Sequence, residues 1–166
     1  RSGVCQEIPL EFLKLSDIPD AQGRAGHYPN RLEAEDAHLT GYKIIDVNPW
    51  EDASRGKALS CDGLQSCSAD FNYTGNPGSF EVAVEYFDLQ GGSAKFTILI
   101  NGHQQDTWSA DDNLPSRSPN GDNSTRHIAH NIALKTGDVI RIEGTPDDAD
   151  HAAFDYIEIL VRSSAQ

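Results

Sequence analysis

Glu33, Glu35 and Asp155 are the residues whose types and spacing point most directly to chemistry in this 166-residue chain. The two glutamates lie in the run Arg31-Leu32-Glu33-Ala34-Glu35-Asp36-Ala37, and Asp155 lies in the closing run Phe154-Asp155-Tyr156-Ile157-Glu158-Ile159. Alternate residues of a β-strand share a face. Glu33 and Glu35 are therefore expected to project together, away from Leu32 and Ala34, and Asp155 to share a face with Ile157, Ile159 and Val161. Carboxylates set against an apolar face are unfavourable unless something neutralises them. A hard cation does so, and carboxylate plus backbone carbonyl oxygen is the donor set calcium prefers. This pattern predicts that the first and last main strands lie side by side and are joined by one calcium ion. An acidic edge paired to Arg or Lys is the alternative.

The elements that must position these groups read as β almost throughout. Phe80, Val82, Val84 and Tyr86 alternate with Glu81, Ala83 and Glu85, as in a half-buried strand. Gly91-Gly92 leads into Lys95–Ile100, and Asn101-Gly102 predicts a tight type I′ hairpin into His103–Trp108. Shorter runs at Tyr42–Val47, Lys57–Cys61, Ala69–Tyr73, Ile128–Leu134, Val139–Glu143 and from Phe154 onward complete the set. No segment keeps a helical period. The expected fold is all-β, an antiparallel β-sandwich of jelly-roll type spanning residues 31–166. Residues 1–30, broken by Pro9, Pro19 and Pro29, read as an N-terminal arm or interdomain linker whose apolar run Leu10–Leu15 has no decisive period.

The net charge of −13 repels phosphate backbones, which argues against a nucleic-acid partner and suits a secreted calcium binder. No apolar run reaches membrane-spanning length, so no membrane partner is expected. No signal-peptide core is present either, so a targeting segment for secretion would lie upstream or have been removed. Cys61 and Cys67 enclose a polar, Gly-containing loop, which suits a disulfide in an oxidising compartment, with two free thiols as the alternative. Cys5 has no evident partner. His127 and His130 read as surface residues, because no histidine has a companion at metal-ligand spacing.

Four stretches then carry a family likeness. They are Leu32-Glu-Ala-Glu-Asp36, Ala53-Ser-Arg-Gly-Lys-Ala-Leu59, Ile132-Ala-Leu-Lys-Thr-Gly-Asp138 and Phe154-Asp-Tyr-Ile-Glu-Ile159. In this order they resemble the non-catalytic carbohydrate-binding modules of families six and thirty-five, β-sandwiches appended to secreted glycoside hydrolases. The string Trp108-Ser-Ala-Asp-Asp-Asn-Leu-Pro-Ser116, with Gly144-Thr-Pro-Asp-Asp148, is similar to the terminal β-sandwich of xylan-debranching α-glucuronidases. The resemblance implies a calcium ion held by Glu33, Glu35, Asp155, Ser54 and Lys57. Lys57 would serve through its carbonyl, since an ammonium cannot ligate a cation. It also implies a covalently linked catalytic domain and a polysaccharide ligand, xylan or a uronic-acid-bearing glycan. An Asn that often contacts sugar in such modules, two residues before the terminal-strand Asp, is replaced here by Ala153.

Two polar loops, Ser109–Thr125 and Gly144–His151, are long enough to be functional. Trp108 at the root of the first could stack on a sugar or fill the end of the core. Trp50, in the turn-rich segment Asn48–Asp52, reads as a binding residue or a cap on the calcium turn. Asp111, Asp112, Asn120, Asp122, Asn123 and Arg126 cluster in this loop or at its edge and are candidates for sugar hydroxyls, with Arg126 suited to a uronate carboxylate. Asp111, Asp112 and Asp122 could alternatively hold a second calcium, or the loop be no more than a set of Asx turns. No nucleophile elbow or other anchored catalytic arrangement is legible, and sequence cannot space a carboxylate pair for glycoside hydrolysis. A non-catalytic binding module is the leading expectation. A structural sandwich within a glucuronidase-like enzyme, with no sugar binding of its own, is the alternative.

Overall fold

The computed structural model describes Tyr28 and residues 30–161. The arm at residues 1–30, apart from its last residues, and Cys5 lie outside the described residues. Strands β1 (Arg31–Glu33), β3 (Lys43–Asp46), β4 (Lys57–Ser60), β6 (Gly78–Phe87), β9 (Ser124–Leu134) and β11 (Phe154–Val161) make one sheet. Its order is β3-β4-β11-β6-β9, with β1 also paired to β11. Strands β2 (His38–Thr40), β5 (Cys67–Asn72), β7 (Lys95–Ile100), β8 (His103–Ser109) and β10 (Val139–Thr145) make the other, in the order β2-β5-β10-β7-β8. The strand pairings among the described residues are antiparallel throughout, and the two sheets form a β-sandwich. No helix among the described residues is long and apolar enough to cross a membrane.

Alternation builds the core. Val82, Val84, Tyr86, Ile157 and Ile159 face inward from the first sheet and meet Phe96, Ile98, Ile140 and Ile142 of the second. A smaller cluster of Val47, Ala53, Ala58, Phe87, Leu89 and Ala153 forms separately, beneath the segment that joins β3 to β4. The hairpin at Asn101-Gly102 forms as expected, with φ of 49° and 83° at its two residues. Cys61 and Cys67 are bridged.

Two expectations about the terminal strands are corrected. The chain leaves the sheet after Glu33 and makes a 3-10 turn over Ala34–Asp36 before β2 begins on the opposite sheet. Glu33 and Glu35 therefore do not alternate along one strand; small Ala34, fully buried, sits where the chain crosses between layers. At the other terminus the register shifts between Phe154 and Tyr156, so Asp155 has no partner on β6. This irregularity turns Asp155 off the Ile157–Ile159 face. Val161, expected in the core, is 78 % exposed. The expected adjacency does hold: β1 pairs with β11 through Arg31↔Glu158, Leu32↔Ile157 and Glu33↔Tyr156.

Close approach decides one glycine. A Cβ on Gly144 would come within 2.0 Å of Tyr42 Oη and 2.9 Å of Ala152 Cβ. Tyr42 is buried there and donates its hydroxyl to the Ala152 carbonyl at 2.9 Å, fastening the β10–β11 loop to the core. Gly144→Ala should lower stability by about 1–3 kcal/mol, as overpacking does. Urea denaturation checks this, and an unchanged midpoint would contradict the packing described.

Candidate functional site

The acidic cluster forms where the 3-10 turn after β1, a second turn over Ser54–Gly56 and the start of β11 meet. Asp155 is fully buried, and both its oxygens accept the Ser54 backbone N–H, at 3.1 and 2.9 Å. Ser54 Oγ donates to Glu33 Oε1 at 2.7 Å and accepts from Arg31 Nη1 at 3.3 Å. The left-handed backbone of Arg55 (φ 52°) and Gly56 (φ 67°) closes this turn. Trp50, half-buried in the neighbouring 3-10 turn, lies against Gly56, whose added Cβ would meet Trp50 Cβ at 3.1 Å.

Three carboxylate oxygens in this cluster, Glu33 Oε2 and both of Glu35, are buried without a hydrogen-bond partner. Arg55 ion-pairs with Asp36 at 2.8 Å but stands 4.0 Å from Glu35. Lys57 turns its ammonium away, onto Asp46. Burial pushes the carboxyls of Glu33 and Asp155 upward and that of Glu35 up to about 7, and the charges of neighbouring carboxylates add to the rise. Among the described residues no three His, Cys, Asp or Glu are already gathered as a metal cluster. Ser54 meanwhile engages one oxygen of Glu33 and both of Asp155. The donor set is hard oxygen, and its unpaired members fit calcium in charge and chemistry.

The outer face of the first sheet carries a second charged group. Glu158 Oε1 receives Arg31 Nη2 at 3.3 Å and Arg126 Nη2 at 3.2 Å, while Arg126 Nη1 stands 3.8 Å from Glu85. Arg31 also lies 3.6 Å over the Tyr156 ring and 4.0 Å over that of Tyr28. Arg126 is thus engaged on the sheet, apart from the loop residues it was grouped with.

The polar loops converge at the end of the sandwich where β6 ends and β11 begins. Asp88, fully buried, accepts the N–H groups of Asp112 and Asn113, both at 3.0 Å. Asn120 Oδ1 accepts the Asp122 N–H at 2.8 Å, and its amide donates to Ser116 Oγ and the Ser118 carbonyl. The side chains of Asp111, Asp112 and Asp122 are exposed. Trp108 has both faces covered, stacked on Phe96 at 5.3 Å and on His127 at 4.0 Å between ring centroids. Its Nε1 is buried and has no hydrogen-bond partner. His127, expected at the surface, is half-buried in this stack and bonded to Asp106 at 2.7 Å. His130 is exposed and pairs with Glu81. Ala153 is fully buried in the smaller apolar cluster, a setting that suits a methyl group.

Asn123, a candidate for sugar contact, is instead fully buried with its amide committed inside its loop, and two further fully buried polar residues, Asp88 and Asp150, were not singled out from sequence. Asp88 directly follows β6 and Asp150 lies within the β10–β11 loop, and no spacing rule distinguishes either from its exposed neighbours.

No protein-family model matches the chain. The α-glucuronidase of Hypocrea jecorina is 32% identical over 163 residues, covering 95% of this chain and 19% of that protein. The chain thus spans about a fifth of the length of this curated relative. A family 35 carbohydrate-binding module from Clostridium thermocellum superposes with a TM-score of 0.59 at 17% identity, over 80% of this chain and 98% of that one. A family 36 carbohydrate-binding module in complex with calcium and xylotriose gives 0.52 at 20% identity, over 78% and 98%. The chain is a β-sandwich like the modules of families 35 and 36, and it resembles a segment of fungal α-glucuronidases.

Asp150 yields a pH test. Its Oδ1 and Oδ2 accept the N–H groups of Ala152 and Ala94, at 3.1 and 3.4 Å, yet burial pushes its carboxyl up to about 6. A raised folded value means the neutral acid is favoured by folding. This contribution is complete below about pH 4, the unfolded value, and is lost as pH rises through about 6. The advantage of wild type over Asp150→Asn in thermal melts should therefore shrink between about pH 4.5 and about pH 7.5. A gap that widened with pH would show that the fold favours the carboxylate.

Proposed function

We propose that this sandwich is a calcium-containing, non-catalytic carbohydrate-binding module. It serves a covalently linked, secreted glycoside hydrolase of the α-glucuronidase kind and holds it on plant cell-wall polysaccharide, xylan or a uronic-acid-bearing glycan. The observation that carries the reading is the set of buried carboxylate oxygens of Glu33 and Glu35 that lack any donor, beside buried Asp155. Calcium would be held by Glu33, Glu35 and Asp155, with the Ser54 hydroxyl and the Lys57 carbonyl. When bound, it would add positive charge directly at oxygens that Arg55 and Arg31 reach only at a distance. The related module bound to calcium and xylotriose supports this choice of ion and ligand class. The Cys61–Cys67 bridge supports an extracellular location.

The sugar would meet the loop end of the sandwich. Exposed Asp111, Asp112 and Asp122 offer acceptors there and Asn120 edges the same loop, while Trp108 would join only by a shift that uncovers its buried, unpaired N–H. Trp50 would cap the calcium turn. Arg126 would join a uronate contact only by exchanging its pairing with Glu158. The second reading, a structural sandwich that binds no sugar alone, is favoured by two observations: Trp108 is stacked on Phe96 and on His127, and the Asn120 amide is committed inside its loop.

Calcium at 100 to 1,000 times its dissociation constant should stabilise the protein by about 3–4 kcal/mol, and Glu35→Gln should reduce that gain. Melts with calcium and with chelator test the metal, and identical curves would refute it. Affinity gels of glucuronoxylan, run with calcium present, test the ligand. Retention that is weakened in Trp108→Ala supports the loop site, whereas no retention on any plant polysaccharide leaves the structural reading standing.

A further inference from the structure

The chain contains two triplets of the form Asn-x-Ser/Thr without proline at x, Asn72-Tyr73-Thr74 and Asn123-Ser124-Thr125. This is the acceptor pattern for N-linked glycosylation, and an attached glycan must project into solvent. The fold treats the two asparagines in opposite ways.

Asn123 is fully buried. Its Oδ1 accepts the Asn120 N–H at 3.0 Å, and its Nδ2 donates to the carbonyls of Ser118 at 2.9 Å and Ser116 at 3.3 Å. A sugar on Nδ2 would replace one of those hydrogens with a ring inside a closed loop. Asn72 is the last residue of β5, where inward Phe71 alternates with outward Asn72. Asn72 is exposed, and its side-chain amide bonds to no described residue. Buried Tyr73 follows, anchored by its N–H to the Asp138 carbonyl and by its hydroxyl to the Asn76 carbonyl, and Thr74 is exposed again. The middle residue of the triplet is thus fixed to the core while its two chemically required members face solvent.

We propose that Asn72 is an N-glycosylation site and that Asn123, despite its triplet, is not. The inference rests on the reading that the chain is secreted by a eukaryotic cell, which the disulfide and the fungal relatives favour. In the reaction, Asn72 Nδ2 attacks C1 of an oligosaccharide carried on a lipid diphosphate. The N–C1 bond forms, the bond from C1 to the diphosphate oxygen breaks, and the diphosphate leaves with the electron pair. The amide proton passes to a base of the transferase.

The position gives the glycan a role. Asn72 lies at the end of the sandwich where β6 begins and β11 finishes, opposite the polar loops. It borders an open groove of about 210 Å³ lined by Leu32, Tyr73, Phe80, Ile159 and Val161. A hydrophilic chain at Asn72 would screen the apolar side chains of this groove, which Asn30 and Thr74 also line, and keep that end of the module in solvent while leaving the loop end clear. A glycan at Asn123 would instead break up the loop end.

The test uses the full polypeptide containing this chain, exported from a filamentous fungus. A leader peptide is present in every arm, so that entry to the secretory pathway is not in question. Peptide-N-glycosidase treatment in heavy-oxygen water converts glycosylated Asn to labelled Asp, which mass spectrometry locates. Label at Asn72 and none at Asn123 is expected, with Thr74→Ala abolishing it and Thr74→Ser retaining it. An unlabelled Asn72, or label at Asn123, overturns the proposal. In unglycosylated protein from bacteria, Asn123→Gln should lower the melting temperature and Asn72→Gln should leave it unchanged. A lowered value for Asn72→Gln would show that this side chain has a structural role after all. The secretory reading is judged separately, by whether Cys61 and Cys67 are bridged in protein from the natural source.

Discussion

The burial of the Asp155 carboxylate is the constraint around which the rest is arranged. An ionised oxygen pair removed from water needs donors or a counter-charge, and among the described residues one backbone N–H, that of Ser54, donates to both oxygens of Asp155. Delivering that N–H requires a turn with two successive left-handed residues, Arg55 and Gly56, and an approach close enough that Trp50 rests on the glycine. It also requires β11 to shift register so that Asp155 leaves the core face without moving Phe154 or Ile157 from it. The strand irregularity, the turn and the small residues nearby are parts of one solution.

The surrounding charges are graded in a consistent way. On the open sheet face, Arg31 and Arg126 share Glu158, and Arg126 stands by Glu85, so those carboxylates have guanidinium partners. At the turn cluster the guanidinium of Arg55 is drawn to exposed Asp36 and stays at the edge of reach of Glu35. Arg31 reaches the cluster through the Ser54 hydroxyl. The arginines therefore neutralise the sheet face more fully than the turn, and it is at the turn that oxygens are left without donors. An ion is more suited than a long side chain to such a place, because it fills little volume and accepts several oxygens at once.

Much of this was legible in the sequence where a period or a turn rule operates. The alternation from Phe80 to Tyr86, the Asn101-Gly102 hairpin, the Cys61–Cys67 bridge and the adjacency of the terminal strands all follow from local pattern. The failures share a cause. A 3-10 turn at Ala34–Asp36 preserves the spacing of two glutamates while ending the strand that the spacing suggested. A one-residue register shift at Asp155 has no periodic signature, yet it reverses which face the side chain takes. His127 reads as a polar strand residue, and only the meeting of edge strands β8 and β9 makes it a lid on Trp108. Asp88, Asn123 and Asp150 belong to loops whose composition predicts exposure; backbone donors from other loops meet Asp88 and Asp150, and partners within its own loop meet Asn123.

The acidic cluster and the polar loops are coupled through a few residues of chain. Asp155 fixes the start of β11; two positions earlier, Ala153 lies in the smaller core and its carbonyl accepts the Phe87 N–H. Phe87 leads directly to Asp88, which gathers the N–H groups of the loop after β8. Preceding Ala153, the chain reaches Asp150, which holds Ala94 from the loop after β6. Anything that tightens the Asp155 turn therefore also steadies the ends of the two strands from which these loops depart. Loop positions that bind ligand without being rigidified in advance must lose conformational entropy on binding. On the proposed function, a cation at the cluster would act on ligand affinity through this covalent and hydrogen-bonded path, even with no sugar atom touching it.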